Sequence, residues 1–345
     1  MTTDARVDWS YPQRVALVVV VVVVMLLVWR LSELVILVFG AIIVATALLT
    51  LAGLVERKLR VPRRYSVLAT VILVVALLTL VGYLIGGALA DQLVNLRERI
   101  PAAGRAALDW ASTHRSGQTA LQYWESMKDE GVPWDKIAGY AGLTLGAVGT
   151  LGLMVVMGLY VAVSPELYRR GVLRLSPKAY RARLDDALTA SGEGLALWLQ
   201  GQAISMLVVG VSTAVGLWLL GIPLALAVGL ISGLLAFIPF FGAIAGGLLA
   251  VLLAFIEGPQ AALYVALLCI AIQQLEGHVI TPIVQSRTVA LPPVLGLAAA
   301  IVFGVLFGIM GVMFATPLMV IVMVLVQKLY VEGILDDGPA TDLKS

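Results

Sequence analysis

Between Leu195 and Gln327 only three side chains carry a full formal charge: Glu257, Glu276 and Arg287. Two of them fall in the stretch QQLEGHVITPIVQSR, Gln273 to Arg287, together with His278 and Pro282. A charged side chain at the centre of a bilayer costs about 2.5–3.5 kcal/mol on insertion scales, so an intramembrane Glu is by default a functional candidate. On a straight helix, steps of three and eleven residues return close to one direction, so Gln273, Glu276 and Arg287 would share a face. Pro282 opposes straightness, because it lacks a backbone donor and disfavours the helical conformation at Thr281. The expected form is a discontinuous helix with free carbonyls before Pro282, bordered by Glu276 and His278. Such a place can coordinate a cation, bind a polar solute or carry a proton. The competing reading is an interfacial helix end in which Glu276 and Arg287 simply pair.

Other chemistry finds little support in the sequence. Gly229-Leu-Ile-Ser232-Gly233 carries one residue too many before its serine to be a nucleophile elbow. No glycine-rich loop ends in Lys-Ser/Thr, so a phosphate cradle is not expected. His114 is isolated, and the single cysteine, Cys269, allows neither an internal disulfide nor a Cys/His metal spacing. The expectation is a protein with no catalytic residues, no metal and no cofactor. Glu257, ahead of Gly258-Pro259, reads as a solvated turn.

The elements that must position these residues are membrane helices. The chain is 61% hydrophobic and 13% charged over 345 residues, with mean hydropathy +1.01. Soluble domains carry roughly 25% charged residues. Charge-free runs lie at 15–29, 34–55 and 66–90, and the two longer ones exceed the roughly 20 residues needed to cross a bilayer core. The first resembles a secretory signal, but no small-x-small cleavage site follows; Trp29-Arg30 does. It is therefore expected to remain as a helix, with Arg30 snorkelling.

Two short segments are rich in basic residues. VERKLRVPRRY, 55–65, has five Lys/Arg, and the stretch from Pro165 to Asp186 has six. The positive-inside rule puts both in the cytoplasm, with the N- and C-termini. They abut spans and are too short for a basic arm, so nucleic acid is not an expected partner. Residues 1–90 then hold the N-terminal spans, and 91–142 an extracytoplasmic helical insert. In that insert Leu93, Leu96 and Ile100 continue a helix until Pro101 interrupts it, and a second piece ends at Gly131-Val-Pro133. Trp110, Trp124 and Trp134 read as aromatic packing at the outer interface. Residues 143–164 return the chain inward. Residues 165–194 form two short basic amphipathic helices, started by Ser164-Pro165-Glu166 and Ser176-Pro177 and lying near anionic lipid. A core of broken helices occupies 195–330, and 331–345 is a cytoplasmic tail.

Within that core a span is expected over about 195–220. The run 229–255 is broken by Ile238-Pro239-Phe240-Phe241-Gly242. The run 296–326 is broken near Phe307-Gly308-Ile309-Met310-Gly311 and again at Thr316-Pro317. Pieces of about 15 residues are short for a span and fit half-helices or re-entrant hairpins. The two runs resemble each other, as repeats with broken helices do in transporters, although frequent glycine offers chance as a rival explanation. Pairs in the G-x-x-x-G spacing are Gly82/Gly86, Gly142/Gly146, Gly229/Gly233, Gly242/Gly246 and Gly304/Gly308, and they permit close helix packing.

Several of these motifs together resemble the autoinducer-2 exporter (AI-2E) family of bacterial membrane proteins. They are Ile238-Pro239-Phe240-Phe241-Gly242 within Gly229–Gly246, and Gln273-x-x-Glu276-Gly277-x-x-Ile280-x-Pro282-Ile283. Leu291-x-Pro293 and Leu306-Phe307-Gly308-x-x-Gly311 with Ala315-x-Pro317 follow. The resemblance implies seven or eight spanning helices plus broken ones, and a homo-oligomer. It implies export of a small signalling molecule in some members and sodium/proton antiport in others. The chain departs from the family pattern at Gln273-Gln274, where Asn is common, and at Pro292, where a polar residue is usual.

The resulting expectation is an all-α polytopic membrane protein of the bacterial inner membrane with broken or re-entrant helices. Its function is transport of a small polar solute such as autoinducer-2, coupled to a proton or cation gradient. Gln273, Glu276, His278, Pro282 and Arg287, with Pro239, Phe240 and Gly242, are expected to line or gate the pathway. Gly229, Gly233, Gly246, Gly304, Gly308 and Gly311 are expected to pack helices. Two rivals remain: a sodium(lithium)/proton antiporter, and a non-transporting scaffold that recruits partners through its cytoplasmic helices.

Overall fold

The computed structural model describes residues 31–59, 62–113, 118, 144–239, 241–280, 282 and 292–332. Every regular element among them is helical. Helix α1 is Ser32–Leu59, α2 is Arg63–Thr113, α3 is Thr144–Val163 and α4 is Pro165–Leu175. After a short 3₁₀ turn, α5 runs from Arg181 to Leu219. Helix α6 is Ala225–Leu235, α7 is Phe241–Ala254, α8 is Pro259–Leu275 and α9 is Pro293–Leu325. Four described helices are long and apolar enough to cross a membrane, or five if α3 and α4, bent 87° apart, count as one span. Helix α2 also contains the charge-free run 66–90. The expected first helix at 15–29 and the insert residues Trp124, Trp134 and Gly131–Pro133 lie outside the described residues.

Helices α1, α2 and α3 form one packed unit. Ala45 and Ala52 of α1, Val67 of α2 and Ala162 of α3 bury together. Gly158 of α3 abuts the Ala41 carbonyl, where an added Cβ would sit 2.8 Å from the oxygen. Ser66 closes the α1–α2 turn by donating to the Ala52 carbonyl at 2.6 Å. Threonines inside this unit satisfy themselves on the preceding turn, as with Thr46 to Ile42 and Thr70 to Ser66, both at 2.8 Å.

Pro101 does not interrupt α2, contrary to expectation. The helix continues to Thr113, with the proline on its exposed side and Leu96 and Ala103 buried on either side. A lost hydrogen bond and a kink are tolerated where tertiary burial holds both flanks. This long arm packs over the far end of α5 and the hairpin beyond it. Leu96 and Ala103 join Leu217, Ile222, Val228 and Ala254 in one core, and Trp110 lies tilted against Phe255, ring centroids 5.6 Å apart. The Gln92 side-chain oxygen also accepts the Ala227 amide at 3.0 Å. Helix α6 has no local side-chain cap, because its N-cap is Leu224 in a left-handed conformation. A residue 135 positions earlier satisfies one of its orphan donors instead.

The second short basic helix expected near 177–194 is not separate. Ser176-Pro177 does precede a helix start, but α5 continues unbroken for 39 residues. Its buried positions, Ala187, Ser191, Gly194, Leu195, Trp198, Gly201, Ser205, Val209, Thr213 and Leu217, recur at helical spacing along the whole length. A continuous packing stripe removes any reason to stop at 194. Helix α5 is the spine on which the remaining elements assemble.

Two hairpins lie against that spine. The first is α6–α7, which turns over residues 236–239. Gly233 meets Gly210 and the Met206 carbonyl, and Gly229 meets Ala214, so α6 runs antiparallel to α5. The second hairpin lies within α9, whose backbone at Gly308 is non-helical with φ 65° and ψ −148°. Ala299 and Ala300 bury against Ala315. Fifteen residues of straight helix rise about 22 Å, so that contact requires the chain to fold back. Residues 294–331 therefore satisfy the length and composition of one span but are divided at Gly308 into two antiparallel arms. Pro317 introduces no second break; it is fully buried inside the second arm, which passes through it.

The two hairpins approach from opposite ends of α5. The first leaves and rejoins the assembly near Leu219, beside α2. The second closes near the start of α5, where Gly194 packs on Val320 and Val324 and Lys328 pairs with Asp186 at 3.2 Å. Their tips meet around Trp198. Phe237 of the first lies 5.8 Å from Trp198 and 6.4 Å from Phe314 of the second, both edge-on. Phe39 of α1 completes the group, 6.0 Å from Phe314.

Candidate functional site

Polar side chains gather on the flank of this aromatic junction. Helix α8 runs antiparallel to α5, with Leu268 against Gly216 and Ile272 near Val209. That register brings the end of α8 to Ser205. The Glu276 carboxyl lies near the Ser205 hydroxyl and the Gln273 side chain, both able to donate to it. One turn away on α5, Gln202 donates to the Ala236 carbonyl at 2.5 Å, tying the spine to the tip of the first hairpin. Spine, hairpin tip and the end of α8 are thus joined by polar contacts at one level.

Immediately beyond Gln273 is a small, partly open cavity of about 10 Å³, bordered by α5, α6, α7 and α8. Thr213, Ser232, Gly242, Gly246, Cys269 and Gln273 are among its lining residues. A volume of that size holds one water-sized particle. Ser232 is 4% exposed, and its hydroxyl has no hydrogen-bond partner. Helical Ser and Thr usually bond back to the preceding turn, as the threonines of α1 and α2 do. An orphan buried hydroxyl costs about 1–3 kcal/mol, so this position carries a stability penalty. Gly246 lets the serine approach: a Cβ there would stand 2.9 Å from Ser232 Oγ. Gly242 is packed on the Leu235 carbonyl, and any side chain would force the hairpin turn apart.

The expected break before Pro282 takes another form. Helix α8 ends at Leu275 and widens into a π-turn from Glu276 to Ile280. Single π-turns change the facing of side chains within a helix and recur at functional sites. Here the wider turn begins at the carboxylate itself. His278 is exposed and its ring nitrogen lies 3.2 Å from the Gln274 carbonyl on its own helix, apart from the polar cluster. Pro282 is also exposed. Arg287 and Phe240 lie outside the described residues. Pro239 sits in the turn of the first hairpin, its carbonyl accepting the Phe241 amide at 2.8 Å.

The glycines divide by position. Gly229 and Gly233 face α5 and Gly246 faces Ser232. Gly304 faces Val312 across the second hairpin, and Gly311 is pressed on the Phe303 carbonyl. Gly308 provides the positive φ of the fold-back. Gly82 and Gly86 face open space, so their spacing marks no contact within one chain.

Ser205, Ser232, Thr213 and Gln202 were not singled out from the sequence as pathway residues. A signal existed for two of them, since Gln202 and Ser205 are polar, three apart, and inside an apolar run. Nothing in the sequence joins them to Glu276, which is 71 residues from Ser205. Among the described residues, no three His, Cys, Asp or Glu side chains come together in a way that could hold a metal ion.

These features define a class: an all-α polytopic membrane protein whose core is two helical hairpins meeting beside a polar cluster. Residues 17–330 match the model of the AI-2E family transporters, and the chain belongs to that family. It is 32% identical over 158 residues to YrrI of Bacillus subtilis (strain 168), a protein named for a transport role, covering 46% of this chain and 45% of that one. YueF of the same organism, likewise named for transport, is 23% identical over 291 residues, covering 78% and 77%. A Mycobacterium tuberculosis transport-named protein is 32% identical over 188 residues, covering 51% of each. In the first and third of these alignments the chain spans about half the length of its relative.

Proposed function

We propose that this chain is a secondary transporter of the bacterial inner membrane that exports a small polar solute, of the autoinducer-2 kind, coupled to a proton or cation gradient. The supporting observation is the Glu276 carboxyl beside Gln273 and Ser205, with the orphan Ser232 hydroxyl on the small cavity that Gln273 also lines, beside the junction of two oppositely directed hairpins. Discontinuous helices meeting at mid-depth are how transporters expose polar groups without unsatisfied backbone facing lipid. Glu276 carries the coupling charge. In a low dielectric, its carboxylate requires either a proton, a cation, or the donors that Ser205 and Gln273 provide. Exchange among these partners accompanies alternating access, with the Phe237–Phe314 contact parting and re-forming as the hairpin tips move. The basic segments 55–65 and 165–186 hold their ends in the cytoplasm, as they do both termini. Copies of the chain assemble into a homo-oligomer.

A second reading has a specific observation in its favour. The cavity beside Gln273 is about 10 Å³ and lined in part by neutral oxygen donors, a size suited to a bare sodium or lithium ion rather than an organic solute. This reading is cation/proton antiport.

Flux in proteoliposomes with an imposed proton gradient tests both. The substitution Glu276→Gln keeps the side chain's shape and removes its charge. Flux at the level of protein-free vesicles is expected for the variant, while it folds and assembles as wild type. Full flux in the variant overturns the role of Glu276. Sodium- or lithium-dependent pH change inside vesicles without any organic solute selects the antiport reading.

A further inference from the structure

Helix α4, Pro165–Leu175, turns 87° away from α3 at Ser164 and lies across the end of that apolar helix. The turn is local chemistry: Pro165 at the first helical position starts a new helix, although Ser164 makes no side-chain cap bond. None of the residues of α4 is buried. At 100° per residue, Leu167, Leu175, Tyr168 and Val172 fall within an arc of about 140°. None of the described residues covers that face, for Leu175 is 88% exposed and Leu167 67%. The opposite face is fastened to α5. Arg169 bonds Asp185 at 2.7 Å and Thr189 at 2.8 Å, with Glu166 at 3.7 Å. The helix is therefore held with its apolar arc directed away from the protein, at the boundary where a span ends.

Arg170 and Arg174 lie along one edge of that arc, one helical turn apart. Both line a cleft of about 560 Å³ between α4, the end of α3 and Val67 of α2. Its walls are Val67, Ala162, Val163 and Leu167, and Glu166, already facing Arg169, is its one carboxylate. Among the described residues, neither Arg170 nor Arg174 has an acidic partner.

We propose that this cleft binds the phosphate headgroup of an anionic phospholipid, held by Arg170 and Arg174, with its acyl chains against the apolar face of α4. A planar guanidinium matches phosphate geometry, and two of them one turn apart can grip a single phosphodiester. A free anion would leave the apolar arc uncovered, whereas a lipid fills both halves of the surface. The site is separate from the Glu276 cluster and its test does not depend on transport.

The full-length protein in neutral detergent would be titrated with short-chain phosphatidylglycerol, short-chain phosphatidylcholine and inorganic phosphate, following the midpoint of thermal unfolding. Phosphatidylglycerol is expected to raise the midpoint saturably, with little response to the other two. One basic residue near an anionic surface contributes about fivefold in affinity. The double substitution Arg170→Gln with Arg174→Gln should therefore weaken the response at least tenfold, and Lys178→Gln, outside the cleft, should not. Should the double variant unfold, the Arg170→Lys/Arg174→Lys variant and the salt dependence of the wild-type response carry the test; both must show weaker binding. Equal responses to the two lipids overturn the proposal, as does full saturation by phosphate alone. Efficient disulfide formation between copies through Leu175→Cys also overturns it, because a second copy would then cover the face.

Discussion

Replacing Ser232 with alanine separates stability from function at the candidate site. In the wild type the hydroxyl is buried without a partner, which costs about 1–3 kcal/mol. Removing one oxygen enlarges the adjoining cavity by about 10 Å³, which at about 24 cal/mol per Å³ costs only ~0.2 kcal/mol. The net expectation is stabilisation by about 1 kcal/mol or more, roughly 2 °C in the unfolding midpoint for a chain of this size. Transport should move the other way, since the species in the pathway loses a ligand that Gln273 and Thr213 cannot replace. The assay pairs thermal unfolding of the purified protein with proteoliposome flux under one lipid composition. A stabilised variant with reduced flux is the pattern of a strained functional residue. A loss of about 1 kcal/mol would refute the reasoning, because it would mean the hydroxyl makes a structural bond. A stabilised variant with unchanged flux would remove Ser232 from the pathway.

Three further perturbations test the frame around the site. Gly308→Ala places a side chain at φ 65°, ψ −148°, a region open essentially only to glycine, and should cost about 1–3 kcal/mol; gel filtration and unfolding midpoints would report it, and a neutral result would deny the fold-back. Gln92→Leu removes the acceptor for Ala227 and should destabilise by about 1 kcal/mol, with faster hydrogen exchange at that amide, while Gln92→Glu should retain protection. Cysteines at Phe237 and Phe314, in a Cys269→Ala background, should be bridged by a short flexible bis-maleimide, since the native rings meet at 6.4 Å; the bridged protein should stop transporting, and undiminished flux would mean that the hairpin tips do not part.

Much of the architecture was legible in residue types. The helix ends at Gly221-Ile222-Pro223 and Ser164-Pro165, and the interruptions at Pro239 and Gly308, are set by local backbone chemistry. Those signals act over one or two turns, so they can be read without knowing the fold. Prolines 101 and 317 misled for the same reason. Their local cost is real, but burial of Leu96 and Ala103 beside one, and of the other itself, outweighs it. The apparent helix end before Leu195 failed likewise, because the packing stripe of α5 passes continuously through it.

For the site, the sequence by itself singled out Glu276 and Gln273, since a carboxylate in an apolar run is conspicuous by its solvation cost. It also determined the all-α membrane class, because a chain this apolar must satisfy its backbone internally. Only the tertiary structure decided that Ser205 stands beside Glu276, that Ser232 shares a small cavity with Gln273, that Gln92 caps a helix 135 residues away, and that the hairpins meet from opposite ends of α5. Those pairings depend on helix register, fixed by glycine contacts such as Gly233 on Gly210 and by the fit of side chains across interfaces. Register is a property of two surfaces at once, and no single stretch of sequence contains it.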